Sequence, residues 1–479
     1  MEKLKLKKSD IGLIGLGTMG SMLALNIAEK GFRISVFNRT TATTKNFSKT
    51  AGKLLDNITP CETLNELVAT IKTPRAIILM VPAGSAVDEQ IASLRPLLNP
   101  EDTIIDAGNA DFNQTNRRAS EAIDTGTSFL GLGVSGGETG ARHGPSIMSG
   151  GSKECWDRVS HLFEAIAAKY NGQPCAKWMG EKGAGHFVKT VHNGIEYADM
   201  QMIAEIYGVM RDGMQLDPIE CSRIFAGWNN GQLKSYLIEI TSEILAAKDI
   251  ETDKPILDLI VDRAGQKGTG RWTAIEAQHL GAPIPVIEAA VAARNLSADL
   301  ETRKNGELVF GPAAKILPEG SLDLDNLEAA LIAGKILCYA QGFALLSSAN
   351  FAFGWSLPLP EIAKVWREGC IIRSSMLNDM ASALAKTPNK NLMFAPYFVN
   401  ILKSKSNAFR QIVTTSLAYG LPIPALASAL TYFDLMRTSR STANMIQAQR
   451  DYFGAHSFER YDKLGAHHGP WAVEKSGNI

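Results

Sequence analysis

Along the first 135 residues the apolar positions fall into short runs, each followed by small or turn-forming residues. Ile11 to Leu16, Phe32 to Phe37, Ala76 to Val81, Thr103 to Asp106 and Phe129 to Val134 read as buried strands. Between the first two, a helical pattern runs to Lys30 and stops before Gly31, so strand, helix and strand follow at βαβ distance. From about residue 183 the period changes. Helical spacing dominates to about residue 440, with no convincing succession of strands. The pattern predicts an α/β domain over 1–182, a large all-α domain over 183–440, and a tail over 441–479 with little core of its own.

The stretch Gly183 to Ala204, GAGHFVKTVHNGIEYADMQMIA, carries two stripes. Written as a helix, it places Lys189, His192, Asn193, Glu196 and Tyr197 at i, i+3, i+4, i+7 and i+8, one polar and reactive face. Phe187, Val188, Val191, Ile195, Ala198 and Met202 form a stripe predicted to be buried, leaving the other to present chemistry. Lys189 and Glu196 lie about 10 Å apart along the axis, too far for an i, i+4 ion pair and suited to flanking one small substrate. Gly194 in mid-helix costs about 1 kcal/mol relative to Ala, which close approach of another chain or a ligand would explain.

The helical half looks duplicated. Tyr197-Ala198 and Pro218 find an echo in Tyr339-Ala340 and Pro360, each 142 positions later. In the echo, LIAGKILCYAQGFALL, Leu331 and Gly334 stand where the first copy has Lys189 and His192, and Cys338 where it has Glu196. Only the first copy can do the chemistry.

Composition removes several function classes. Lys plus Arg and Asp plus Glu each number 49, so the formal net charge is zero and no global field favours nucleic acid or an anionic membrane. Cys61, Cys155, Cys175, Cys221, Cys338 and Cys370 are scattered without a C-x-x-C pair, which fits a reducing cytoplasm and indicates neither disulfides nor zinc. No H-E-x-x-H occurs, and His467-His468 has no carboxylate or thiol at ligand spacing; no metal is predicted. Lys3, Lys5, Lys7 and Lys8 before an apolar stretch imitate a signal peptide, but Gly12, Gly15, Gly17 and Gly20 interrupt it, and no apolar run reaches a membrane span.

Those glycines have another use. Gly15-Leu16-Gly17-Thr18-Met19-Gly20 sits between the first strand and its helix, the G-x-G-x-x-G context in which a dinucleotide pyrophosphate approaches backbone N–H groups. The second strand ends in Asn38-Arg39-Thr40, without the acidic residue that holds a ribose 2′-hydroxyl. Arg39 there suits a 2′-phosphate, so the pattern points to NADP in preference to NAD. Later strands end in Pro82-Ala83-Gly84, Ala107-Gly108-Asn109 and Ser135-Gly136-Gly137, where such sheets bind ligands. Gln266-Lys267-Gly268-Thr269-Gly270 and Arg294 suit a phosphate.

Taken together, GVSGGETGARHGPSIMSGG, GAGHFVKTVHNGIEYADMQ, QKGTGRWT and QAQRDYFGAH resemble the decarboxylating 6-phosphogluconate dehydrogenase family, essentially end to end. The resemblance implies a Rossmann NADP-binding domain, a duplicated helical domain, and a homodimer whose C-terminal tails each reach into the partner's substrate site. It implies oxidative decarboxylation of 6-phosphogluconate to ribulose 5-phosphate and CO2 in the pentose phosphate pathway. Carried over residue by residue, it makes Lys189 the base and Glu196 the acid. Substrate contacts fall on Asn109, Ser135, Gly136, Gly137, His192, Asn193, Tyr197, Lys267 and Arg294, with Arg450 and His456 from the neighbouring subunit. Cofactor contacts fall on Gly15, Leu16, Gly17, Thr18, Met19, Gly20, Asn38, Arg39, Thr40, Val81, Pro82, Ala83 and Asn109.

Two positions depart from the family pattern. Val81-Pro82-Ala83-Gly84 stands for Val-Lys-Ala-Gly, and Asp106-Ala107-Gly108-Asn109 for Asp-Gly-Gly-Asn; Pro82 removes a cation and an N–H donor. Competing readings are a β-hydroxyacid dehydrogenase, typically much shorter, and a non-catalytic NADPH-binding regulator.

Overall fold

The computed structural model describes residues 8–388 and 390–471, so Lys3, Lys5 and Lys7 lie outside the described residues. The chain divides into two compact units, 1–429 and 430–479.

The first unit begins with an eight-stranded sheet in the order β10-β7-β6-β5-β4-β1-β2-β3. Its strands are β1 (Ile11–Ile14), β2 (Ile34–Phe37), β3 (Ile58–Cys61), β4 (Ala76–Leu79), β5 (Thr103–Asp106), β6 (Ser128–Ser135), β7 (Ser146–Gly151) and β10 (Ala176–Gly180); β8 (Lys169–Tyr170) and β9 (Gln173–Pro174) form a separate ribbon. Strands β1 to β6 pair in parallel, and β7 runs antiparallel to β6. The inner order 3-2-1-4-5-6 is that of the dinucleotide-binding fold. Neighbouring side chains alternate between the two faces, with Leu13, Ile78 and Ile105 packed in one cluster and Ile14, Ile77 and Ile104 in the other. Helices α1 (Thr18–Glu29), α2 (Thr41–Thr50), α3 (Leu64–Thr70), α4 (Ser85–Leu94), α5 (Phe112–Asp124), α6 (Gly137–His143) and α7 (Lys153–Ile166) accompany the strands.

Periodicity located five of these strands, β5 at both ends and the others to within two residues, and missed β3, β7 and β10. Pro60 sits in β3, an edge strand, and β7 carries Gly150-Gly151. Neither residue belongs to the usual strand vocabulary.

From Ala184 the chain is helical: α8 (Ala184–Gly208), α9 (Pro218–Trp228), α10 (Tyr236–Ala246), α11 (Thr269–His279), α12 (Pro285–Ala298), α13 (Leu300–Phe310), α14 (Leu324–Phe353), α15 (Leu359–Val365), α16 (Met376–Lys386), α17 (Pro396–Ala418) and α18 (Pro424–Leu435). Helix α14 is long and apolar enough to cross a membrane, yet its most apolar window is 94% buried within the protein, so it is a core helix.

Helix α8 reaches both the sheet and α14 because glycine lines the contacts. A Cβ on Gly185 would sit 2.4 Å from the Gly150 amide nitrogen, and one on Gly133 would sit 2.4 Å from Lys189 Cβ. Gly334 and Gly342 of α14 receive Met202 and Ile195 of α8 in the same way. The mid-helix Gly194 is explained neither by a ligand nor by a second chain. Its missing Cβ makes room for Thr273 of α11, whose hydroxyl donates to the Thr190 carbonyl at 2.7 Å.

Contrary to the two-stripe expectation, α8 is buried nearly all round. Lys189, His192 and Asn193 are 6%, 0% and 6% exposed, like the apolar residues behind them. These polar side chains lie inside a seam between sheet and helices.

In the second unit, α19 (Ala443–Gly454) is followed by a loop fastened to one carboxylate. Asp451 accepts from the Ser457 and Gly469 amides at 2.9 Å each and from Trp471 Nε1 at 2.8 Å, and pairs with His468 Nδ1 at 2.6 Å. Burial opposes its charge, and these bonds nonetheless hold its pKa well below the usual range.

Candidate active site

The strand ends of the sheet carry the residues predicted to meet the dinucleotide. Gly15 has φ 102°, and a Cβ on it would strike the Met80 carbonyl oxygen, so only glycine makes this turn. Gly20 presses against Gly15, whereas a Cβ on Gly17 would meet no atom within 4 Å. Gly17 caps α1 without a side-chain hydrogen bond, leaving the first-turn amides to an incoming anion. Asn38 Oδ1 accepts from the Leu16 amide at 3.0 Å, tying the end of β2 to the glycine turn and setting exposed Arg39 and Thr40 beside it. These residues fit a nicotinamide dinucleotide.

A residue the sequence reading did not single out fixes the neighbouring loops. Arg118 on α5, 1% exposed, donates from Nε to Asp88 Oδ1 at 2.8 Å, and from Nη2 to Asp88 Oδ2 at 3.1 Å and the Gly84 carbonyl at 2.9 Å. Its Nη1 lies 3.5 Å from Asp106 Oδ2, while Asp106 Oδ1 accepts from the Gly108 amide at 3.1 Å. One guanidinium thus holds the loop with Val81, Pro82 and Ala83 and the loop with Asn109. The bonds from Arg118 are the main cause of the Asp88 carboxyl falling to about 2. Partners 12 to 34 positions away leave no local signal in the sequence.

Where β6 ends against α8, five predicted residues converge. Lys189 Nζ donates to Ser135 Oγ at 3.0 Å and lies 3.3 Å from His192 Nδ1. Ser135 Oγ is 3.2 Å from His192 Nε2, Asn193 Oδ1 is 3.2 Å from Nδ1, and Glu196 Oε2 is 3.7 Å from Nδ1. In the tautomer protonated at Nδ1, this makes a chain from the amine through the hydroxyl and imidazole towards Asn193 and Glu196. Burial pushes the Lys189 pKa below its ordinary value, with the charges of Glu196 and Cys370 opposing. Burial, and then the Lys189 charge, hold His192 well below its ordinary value. Burial raises Glu196, with Lys189 and Arg294 opposing. Both shifts run towards the neutral forms, on two side chains of one helix.

The remaining predicted substrate residues stand on other elements. Arg294 of α12 stacks on the Tyr197 ring, 3.8 Å from its centroid, and Tyr197 fills the space left by Gly270. Exposed Lys267 precedes Gly268, which caps α11 with φ 89°. Gly136 has φ 106° and abuts the Gly369 carbonyl, while exposed Gly137 opens α6. Asn109 is exposed three residues beyond β5. Arg450 and His456 belong to the second unit, where Arg450 bonds Gln447 at 3.0 Å and His456 packs against Phe453. Trp366, absent from the predicted set, stands edge-on to His192 with centroids 5.7 Å apart.

Comparison with known proteins fits this geometry. Residues 10–180 match the model of the NAD binding domain of 6-phosphogluconate dehydrogenase, and residues 185–471 that of the family's C-terminal domain. The chain is 47% identical over 470 residues to a Bacillus subtilis NADP(+)-dependent decarboxylating 6-phosphogluconate dehydrogenase, covering 97% of this chain and all of the relative. It is 45% identical over 471 residues to an NAD(+)-dependent enzyme of the same organism, covering 97% and 99%. A solved Plasmodium falciparum 6-phosphogluconate dehydrogenase, described in apo form and with NADP+ and 6-phosphogluconate, superposes with a TM-score of 0.93 at 41% identity, covering 96% of this chain and all of that one. With both halves matched and relatives aligned end to end, the chain belongs to the decarboxylating 6-phosphogluconate dehydrogenase family, oxidoreductases of the pentose phosphate pathway.

Proposed function

We propose that this chain oxidises 6-phosphogluconate with NADP and releases CO2 and ribulose 5-phosphate, with Lys189 as base and Glu196 as acid. The observation that carries the reading is the buried contact of Lys189 Nζ with Ser135 Oγ at 3.0 Å and His192 Nδ1 at 3.3 Å, seven residues before Glu196 on the same helix. The dinucleotide supplies the hydride acceptor. Hydride leaves C3 as its hydroxyl proton passes to neutral Lys189, giving a 3-keto acid. The C1–C2 bond then breaks, its electron pair moves towards the 3-keto oxygen, and protonated Lys189 returns its proton there. The ammonium does the work of an electrophile, so the steps call for no metal. The enediol gains its final proton from Glu196 at the substrate's former C2, which becomes C1 of ribulose 5-phosphate, as its O3 hydroxyl gives a proton back to Lys189.

Binding follows the same axis. Ser135, the Gly136 and Gly137 amides, Asn109, His192 and Asn193 are read as holding the carboxylate and hydroxyl end, with Tyr197, Lys267 and Arg294 holding the phosphate. The dinucleotide is assigned to Gly15 to Gly20, Asn38 to Thr40, Val81 to Ala83 and Asn109. Arg39 favours NADP, although relatives at similar identity carry the names of both cofactors. The segments 1–182, 183–440 and 441–479 are read as dinucleotide domain, substrate and dimerisation domain, and exchanged tail; the family models meet between residues 180 and 185.

A homodimer in the cytoplasm is proposed, with Arg450 and His456 entering the partner's site. Leu308, Val309 and Phe310 of α13 are 84%, 64% and 89% exposed, and Met445, Ile446 and Phe453 of α19 are 62%, 58% and 70% exposed. Apolar surface of that extent suits a second subunit.

Turnover of 6-phosphogluconate with each dinucleotide tests the reading. The expected kcat/KM is at least about tenfold higher with NADP, and Arg39→Ala reduces the preference. Equal use of NAD overturns the cofactor assignment, and no turnover with either overturns the reading as a whole.

A further inference from the structure

Helix α14 repeats α8 without its chemistry, yet it keeps one charge in the core. Lys335 is 0% exposed and Asp199 of α8 is 2% exposed, with Lys335 Nζ 2.8 Å from both carboxylate oxygens and 3.5 Å from Ser235 Oγ. Gly334 and Gly342 bring the helices together on either side, and Cys338 Sγ lies 3.9 Å from the Ile195 carbonyl. A fully buried ion pair adds little stability, since apolar residues of equal volume serve as well or better. Its presence needs another account.

Position supplies one. Asp199 follows Glu196 by three residues, one turn along the same side of α8. The groups facing Glu196 are Lys189, His192 and Asp199 on its own helix, Arg294 from α12, and Cys370 from the loop after α15. Burial is the main cause favouring the acid form of Glu196; Lys189 and Arg294 oppose it, and Asp199 adds to it.

We infer that Asp199 and Lys335 are a positioning pair for the last protonation step: Asp199, one turn from Glu196, supports its acid form between two cations, and Lys335 holds the Asp199 side chain in place. The duplicate helix thereby supplies the side chain that fixes a charge one turn from the acid. This inference rests on the reading of Glu196 as proton donor.

The double variant Asp199→Asn/Lys335→Gln exchanges the ion pair for a neutral amide pair able to hydrogen-bond. Glu196 in it should lose its proton at lower pH, so the high-pH limb of the kcat profile moves down by about one pH unit. At pH 8 turnover should fall several-fold, while single-turnover hydride transfer by rapid mixing stays within about twofold of wild type. Lys335→Arg, which keeps both charges, should retain the wild-type limb. Glu196→Gln, run alongside, separates the two ideas: if it turns over normally, the acid assignment fails and the inference with it. If Glu196→Gln is slow at protonation but the double variant keeps an unchanged limb, or loses hydride transfer and turnover in equal measure, the inference alone is overturned. Should the double variant not fold, a displaced limb in folded Lys335→Arg overturns it, and an unchanged one supports it.

Discussion

Lys189 is costly to keep. An amine on a helix wall, 6% exposed and pushed towards neutrality by burial, loses most of its hydration on folding. Lys189→Met therefore should raise stability by about 1–2 kcal/mol while removing activity. The sign follows from protonation. Between the folded pKa, which is lowered, and the unfolded one near 10.5, the unfolded chain binds the extra proton, so stability rises with pH across that window. The gain from Met should be largest at low pH and shrink towards pH 10.5 in denaturant titrations; an undiminished gain there contradicts it. Activity has the opposite shape at its two ends. Turnover should fail at low pH as Lys189 is protonated and at high pH as Glu196 ionises, and Glu196→Gln should remove the upper limb from what activity remains. At this scale the sequence was legible where partners are local: Lys189, His192, Asn193 and Glu196 share one helix face. Arg118 was not, because Asp88, Asp106 and Gly84 reach it from other elements.

At the scale of elements, glycine contacts position α8. Gly133→Ala would drive a methyl into Lys189 Cβ, 2.4 Å away, and neither β6 nor a buried helix can yield cheaply. The expected result is a fall in kcat of more than about tenfold with dinucleotide affinity little changed. Wild-type kcat would show that the helix seats itself by other means. The far end of α8 is held by Glu205, whose oxygens accept from the Ala425 amide at 2.8 Å and the Leu426 amide at 2.9 Å. Burial raises this carboxyl from 4.5 to about 7, so between those values the folded chain holds a proton that the unfolded chain has lost. Stability should thus decline as pH rises from 4.5 to about 7, and Glu205→Ala should flatten that slope while costing about 2 kcal/mol from the stranded amides. Calorimetry across this range checks both. The strand–glycine–helix unit was readable because its turn chemistry and apolar runs are contiguous. The edge strand with Pro60 and the glycine-ended β7 are strands only because neighbours pair with them.

For the whole molecule, the two-domain plan of sheet followed by helices was legible from the change of period at about residue 183. The expected place of the tail in a partner's site rests on family resemblance alone, because Arg450 and His456 lie in a unit of their own. If tails are exchanged, a Lys189→Met subunit and an Arg450→Ala subunit damage different halves of each site. Mixed after reversible dissociation, two nearly inactive proteins should recover about a quarter of wild-type activity, since half the dimers are mixed and each has one intact site. No recovery in demonstrably mixed dimers would place Arg450 in its own subunit's site or outside any site.

All of this depends on Lys189 taking the C3 hydroxyl proton. Rapid mixing of the Lys189→Met variant with 6-phosphogluconate and NADP, followed by absorbance of the reduced dinucleotide, tests that claim most directly. The account predicts NADP binding within about twofold of wild type and hydride transfer slowed by at least about a thousandfold. A first turnover at near wild-type rate would mean that another group is the base.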